Sequence, residues 1–208
     1  MRIDSILFDL DGTLWDSVDG ILITWNRVLQ KYPGLRAPID RVEQESLMGL
    51  QMDTIAQRLF PGQSAERQLE LMQECMAAEN AYLYEHGGTL YPAVPETLEA
   101  LHQSHKLFIV SNCQSGYIEA FLHAHGLEQT FDGRLCFGDT GDSKGENIRA
   151  VVGWNHLKNP VYVGDTQGDL ESAEYAGVPF VYAKYGFGAV TRYDLQISYF
   201  RELLDLFG

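Results

Sequence analysis

Basic residues are scarce in this sequence: 15 lysines and arginines stand against 29 aspartates and glutamates in 208 residues, a formal charge of −14. So acidic a chain lacks the cationic surface that binding to a phosphate backbone requires, which excludes a nonspecific nucleic-acid binder. A small phosphate remains possible as a ligand, because a metal ion and one lysine can reverse the sign of the field locally. Cysteine is nearly missing too. Cys75, Cys113 and Cys136 are odd in number and lack metal-ligand spacing, and they read as reduced thiols of a cytoplasmic protein. No apolar run approaches the roughly 18 to 20 residues of a membrane span. The N-terminus enters a strand at once, leaving no room for a signal peptide. Repeats, low-complexity tracts and disordered linkers are also absent from the sequence. What remains is an ordinary globular composition, 45% hydrophobic and 21% charged, long enough for one large domain or a core with an insert.

The most informative stretch is residues 8–17, Phe-Asp-Leu-Asp-Gly-Thr-Leu-Trp-Asp-Ser. Asp9 and Asp11 lie one residue apart at the exit of an apolar run, residues 3–8, that reads as a strand. Paired carboxylates there suit three tasks. One can attack a phosphorus atom, the other can move a proton to and from the leaving oxygen, and with a further acid they can hold a hard dication such as Mg²⁺. Gly12 lets the backbone turn sharply against a bound anion. Asp-x-Asp-Gly alone suits a surface turn equally well, so the rest of the chain has to decide.

Past Asp16 the apolar spacing becomes helical. Val18, Ile21, Leu22, Trp25, Val28, Leu29 and Tyr32 form one stripe, with Asp16 or Ser17 to cap its start and Pro33-Gly34 to end it. Asp40 with Glu43 starts a second helix to about residue 47. Gly49 interrupts, residues 53–60 resume, and Ser64 caps a longer helix to about residue 84. Residues 16–88 are thus expected to be helical without a strand. Strands and helices then alternate: helix 95–102, strand 106–111, helix 116–125, strand 135–137, helix 144–154, strand 161–163, helix 170–176, strand 180–183 and a terminal helix 199–207. Such alternation predicts a parallel sheet covered on both faces, with ligands bound beyond the carboxyl ends of its strands. Asp9, Ser111 and Asp165 all fall at such ends.

Asp9-Leu10-Asp11-Gly12-Thr13-Leu14 resembles motif I of the haloacid dehalogenase (HAD) superfamily. Val110-Ser111-Asn112 resembles its motif II, Lys144 its motif III lysine, and Gly164-Asp165-Thr166-Gln167-Gly168-Asp169 its motif IV, all in the superfamily's order. The resemblance spans nearly the whole chain, less closely between residues 17 and 88. It implies an α/β fold: a Rossmann-like core of residues 1–15 and 89–208, and a small all-helical cap of residues 16–88 inserted after motif I, hinged near Asp16 and Gly88. It also implies a Mg²⁺-dependent phosphomonoester hydrolase acting on a small phosphorylated metabolite, as a monomer or homodimer. In that reading Asp9 is the nucleophile that becomes an aspartyl-phosphate, and Asp11 is the acid and base. Mg²⁺ is held by Asp9, Asp165 and the backbone carbonyl of Asp11, with Asp169 acting through water or orienting the shell. Ser111 and the Asn112 N–H bind phosphoryl oxygens beside Gly12 and Thr13, and Lys144 supports the phosphoryl charge.

Local chemistry leaves alternatives. Asp169 also suits an N-cap for the helix from residue 170, Ser111 a polar strand end, and Lys144, among Asp139, Asp142 and Glu146, a solvated helix start. Cys113 is expected to pack, His123 and His125 to lie on a helix face, and Tyr185-Gly186-Phe187-Gly188 to form the site rim. Many relatives carry Lys-Pro where this chain has Lys144-Gly145, a departure that leaves the backbone freer there.

Within the superfamily, dehalogenase relatives carry tyrosine and phosphonate-cleaving relatives alanine at the position of Asp11, so the aspartate points to ester hydrolysis. Phosphomutase relatives place an arginine in the cap shortly after a glycine corresponding to Gly49, and residues 47–53 contain none. The phosphoglycolate-phosphatase-like branch is the nearest match. The apolar, uncharged stretch 48–52 argues for a neutral or partly apolar leaving group, such as a sugar or nucleoside, unless Arg36, Arg41 or Arg58 reaches the site. A phosphotransferase or mutase, and a noncatalytic binding module, are the competing classes. The second would be expected to have lost Asp9, Asp11 or Asp165.

Overall fold

Side chains alternate across a strand, so a strand buried on both sides reads as continuously apolar. This is how β1 (Ser5–Phe8) is built: Ile6 and Phe8 enter one hydrophobic cluster and Leu7 enters another. The computed structural model describes residues 3–208. The strand begins at Ser5, two residues later than the apolar run 3–8 suggests. After β1 come β2 (Trp15–Asp16), α1 (Val18–Leu29), α2 (Arg41–Glu45), α3 (Met52–Leu59), α4 (Ala65–His86) and β3 (Thr89–Leu90). Then follow α5 (Val94–His102), β4 (Lys106–Ser111), α6 (Tyr117–His125), β5 (Gly133–Cys136), α7 (Phe137–Thr140), α8 (Lys144–Trp154) and β6 (Pro160–Gly164). The chain ends with α9 (Gln167–Ala176), β7 (Phe180–Ala183), β8 (Leu195–Ile197), a 3-10 turn (Phe200–Glu202) and α10 (Leu203–Phe207).

Six strands form one parallel sheet in the order β5-β4-β1-β6-β7-β8. The order reverses direction at β1, which places a crevice beyond its carboxyl end. One face packs Ile6, Ile109 and Val163 against α5, α6 and α10; the other packs Leu7, Phe108 and Tyr162 against α8 and α9. The fold is therefore α/β with a Rossmann-like parallel sheet covered on both faces. Helices α1 to α4 bury a separate cluster of their own, centred on Trp25, Leu47, Leu59 and Leu71.

Several boundaries differ from the sequence expectation, each for a local reason. β2 and β3 pair antiparallel at the entry and exit of the helical segment, two residues each and too short to show a period. β8 joins β7 as an edge strand of three residues. Phe137 opens α7 rather than closing β5. α9 starts at Gln167 because Thr166 caps it, its hydroxyl accepting from the Asp169 N–H; Asp169 sits at the third helical position and completes a reciprocal capping box. The terminal segment 199–207 divides into the 3-10 turn and α10.

Candidate active site

Asp9 continues β1 past its end: its N–H donates to the Val163 carbonyl at 2.9 Å, which holds the side chain over the crevice between β1 and β6. The chain then turns back through Gly12 at φ +79°. A Cβ at Gly12 would overlap the Asp165 carboxylate, so only glycine allows this approach. Asp165 leaves the end of β6, and Asp169 comes from the first turn of α9. Lys144 opens α8, whose N-terminus is fixed by a capping box between Ser143 and Glu146. Its neighbour Gly145 packs against α9, where an added Cβ would stand 2.7 Å from Tyr175 Cδ1. The absence of a side chain there lets α8 sit close enough for Lys144 to reach inward.

These residues meet in one buried cluster. Lys144 Nζ donates to Asp9 Oδ1 at 2.9 Å and to Asp169 Oδ1 at 2.6 Å, and all three side chains are almost fully shielded. Carboxylate oxygens of Asp9, Asp165 and Asp169 lie within 4.8 Å of one another. Asp169 is saturated by protein donors: Oδ2 accepts from the N–H of Asp165 and from both the N–H and hydroxyl of Thr166, and Tyr162 adds a long bond to Oδ1. Asp165 Oδ2 accepts from the Phe187 and Gly188 N–H groups at 2.7 and 3.3 Å. Its Oδ1 meets only the Thr13 hydroxyl, at 3.5 Å. Asp9 Oδ2 is buried with no partner. The cluster of three acids and one lysine thus holds one bare and one nearly bare carboxylate oxygen. That donor set fits a hard dication, which would offset the excess negative charge of three buried acids against one lysine.

Electrostatics express the same excess. Burial, reinforced by the charge of Asp169 and opposed by Lys144, pushes Asp9 up to about 7. Burial and the charges of Asp169 and Asp9 push Asp165 well above the usual carboxylate range. Burial alone would lower the Lys144 ammonium, but Asp169 and Asp9 outweigh it and hold it above its ordinary value.

Asp11 points away from this cluster. Its Oδ1 accepts from Ser17 Oγ at 2.6 Å and from the Tyr117 hydroxyl at 2.8 Å. Burial pushes Asp11 up to about 6 against those two hydrogen bonds. Together with Asp9, Ser111 and Asn112 it lines a small cavity of about 30 Å³, closed from above by α1 to α4. Asn112 Nδ2 donates to the Gly49 carbonyl at 2.9 Å, tying the loop between α2 and α3 to the end of β4. All nine residues singled out in the sequence therefore converge, the acids and Lys144 below and Asp11, Ser111 and Asn112 at the cavity.

Some participants escaped sequence reasoning. The loop 185–188 does more than form a rim, because its amides orient Asp165 and the Tyr185 hydroxyl donates to the Thr13 carbonyl at 2.8 Å. Tyr117 was an unremarked helix residue. Glu79 lines the cavity from α4, 2% exposed, accepting from Trp25 Nε1 at 2.6 Å. A signal for it existed: Leu71, Cys75, Glu79 and Leu83 follow one another at steps of four, so an acid occupies a stripe that is otherwise buried and apolar.

The sequence pattern of the haloacid dehalogenase-like hydrolase family matches residues 6–183. Among curated proteins, the chain is 30% identical over 226 residues to a phosphoglycolate phosphatase of Vibrio vulnificus strain YJ016, covering 99% of this chain and 96% of that one. It is 29% identical over 194 residues to the phosphoglycolate phosphatase of Aliivibrio fischeri, covering 88% and 84%. Among solved structures, a haloacid dehalogenase-like family protein from Streptococcus pneumoniae superposes with a TM-score of 0.85 at 23% identity, over 99% of each chain. That last likeness concerns the fold.

Proposed function

The chain belongs to the haloacid dehalogenase-like hydrolase family, and from that premise we propose that it is a Mg²⁺-dependent phosphatase that hydrolyses a small phosphorylated metabolite through an aspartyl-phosphate on Asp9. The observation that carries this reading is the asymmetry of Asp9: Lys144 pins Oδ1 while Oδ2 is buried and unpartnered. An oxygen so placed is a nucleophile with its direction of attack already set.

In this mechanism Asp9 Oδ2 attacks phosphorus and the bond to the substrate oxygen breaks. Asp11 gives a proton to that oxygen, held in position by Ser17 and Tyr117. Asp11 then takes a proton from the water that attacks the phosphoryl group and frees Asp9. The Ser111 hydroxyl and the Asn112 N–H hold phosphoryl oxygens, Gly12 and Thr13 keep the turn close to them, and Lys144 balances their charge. Asp9, Asp165 and the Asp11 carbonyl would hold Mg²⁺. Asp169, whose oxygens are already engaged, would orient that shell rather than ligate directly. Bound Mg²⁺ supplies the positive charge that lets an anionic carboxylate approach an anionic phosphate.

The chain also divides into a core of residues 1–15 and 89–208 and a cap of residues 16–88, with the paired β2 and β3 as the hinge. Closure of such a cap excludes water. The test is phosphate release from a panel of small phosphomonoesters, with and without Mg²⁺, by wild type and Asp9→Asn. Mg²⁺-dependent release lost in Asp9→Asn supports the reading. An isomerised sugar phosphate in place of free phosphate would replace it with a phosphomutase.

A further inference from the structure

The cavity above Asp9 and Asp11 is where the leaving alcohol of a phosphoester would lie, and three amides of its lining carry a buried oxygen without a partner. Among the described residues, no lysine or arginine lines it. The three arginines that could have reached it do not: Arg36 is engaged by Glu43 and the Leu59 carbonyl, Arg41 by Asp16, Asp19 and Glu45, and Arg58 is not part of the lining.

The buried amides present acceptors. Asn80 Nδ2 donates to the Ser115 carbonyl, which fixes its amide orientation. Gln114 Nε2 then donates to Asn80 Oδ1, so Gln114 Oε1 is an acceptor, buried and without a partner. Asn112 is fixed in the same way by Gly49, leaving Oδ1 unpartnered. Gln44 is 1% exposed and Oε1 has no partner, its amide nitrogen meeting only the Met48 sulfur at 3.8 Å. Glu79 adds a buried carboxyl group that accepts from Trp25. Buried acceptors without donors are unfavourable, and a ligand that supplies donors removes that cost.

We propose that the alcohol released at this site carries hydrogen-bond donors and no second anionic group, a polyol or an amino alcohol, and that Glu79, Gln114 and Gln44 recognise its hydroxyl or ammonium groups. The inference rests on the hydrolase reading above and narrows it. A leaving group bearing a carboxylate would meet these unpartnered amide oxygens and no cation to pair with, and mismatches of that kind discriminate strongly. The site therefore disfavours phosphoglycolate, the compound in the names of the curated relatives.

The experiment compares kcat/KM for glycerol phosphate, phosphoethanolamine, phosphoglycolate and an aryl phosphate at saturating Mg²⁺, in wild type, Glu79→Gln and Gln44→Met. Both substitutions nearly preserve shape, and Glu79→Gln keeps an acceptor for Trp25. Wild type is expected to prefer at least one donor-bearing substrate over phosphoglycolate by about tenfold or more. At least one variant is expected to shrink that ratio by roughly threefold or more, the value of one hydrogen bond. Loss confined to phosphoethanolamine in Glu79→Gln identifies the ammonium as the group recognised, and loss confined to glycerol phosphate the hydroxyl. A wild type that turns over phosphoglycolate best, or a ratio unchanged in both folded variants, overturns the inference and leaves the hydrolase reading standing. No phosphate released from any compound, the aryl phosphate included, overturns both.

Discussion

Lys144 is the residue on which the buried charges depend, since it alone among the cluster is cationic and it touches two of the three acids. Replacing it with methionine leaves those carboxylates uncompensated. Lys144→Met is expected to lower stability by roughly 3–5 kcal/mol in the absence of metal. Added Mg²⁺ should then raise the melting temperature of the variant more than that of wild type, a comparison made by thermal unfolding with and without the ion. Gly12 is equally constrained. Gly12→Ala puts a side chain into a left-handed conformation and into the Asp165 carboxylate. It should cost about 1–3 kcal/mol in urea unfolding and abolish most phosphate release, whereas Gly34→Ala, also at positive φ but with open space around it, should show only the backbone cost. The placement of Asp9 and Asp165 was legible because both acids leave the ends of apolar strands, whereas Asp169 and Lys144 were singled out by the resemblance of their motifs. Glu79, Gln114 and Gln44 were not, because their role comes from tertiary packing: they reach the cavity from α4, the loop after β4 and α2 respectively, with no shared local pattern.

At the scale of elements, α4 carries the most informative anomaly. Burial, with a smaller contribution from the charge of Asp11, pushes Glu79 up to about 8 from an ordinary 4.5, opposed by hydrogen bonds from Trp25 and Gln114. The folded state therefore keeps a proton that the unfolded state releases. The stability that this proton confers is complete below the ordinary value and declines as pH rises towards 8, by at most about 1.4 kcal/mol per pH unit. Glu79→Gln has no proton to lose, so between pH 5.5 and 7.5 wild type should lose stability relative to the variant in urea titrations; parallel curves would show that the carboxyl is not buried in solution. The helix α4 also meets the core through Asn80, which bonds both Gln114 and Ser115. Asn80→Ala should raise KM several-fold with little change in kcat and speed amide exchange in α3 and α4. Element boundaries were readable where a cap or a long apolar run marks them, as in β4, α8 and β7, which match the expected limits. They were not readable in β2, β3 and β8, whose two or three residues are held by pairing with a neighbour rather than by any pattern of their own.

Across the whole molecule, a charge of −14 opposes the approach of any phosphoester. Raising ionic strength from about 10 to 150 mM shortens the reach of that repulsion to about 8 Å, so kcat/KM at saturating Mg²⁺ should rise by about two- to fivefold. A basic protein reading the same substrate would show the opposite slope. The two-residue ribbon of β2 and β3 has a consequence on a longer timescale. The chain departs the sheet at Trp15–Asp16 and returns at Thr89–Leu90, directly alongside, so everything between enters and leaves by a single doorway. A stretch threaded in this way can be lengthened, shortened or exchanged by recombination without disturbing a strand of the sheet. On the division into core and cap proposed above, inheritance can act separately on the floor and on the roof, and new substrates can be acquired by replacing the roof.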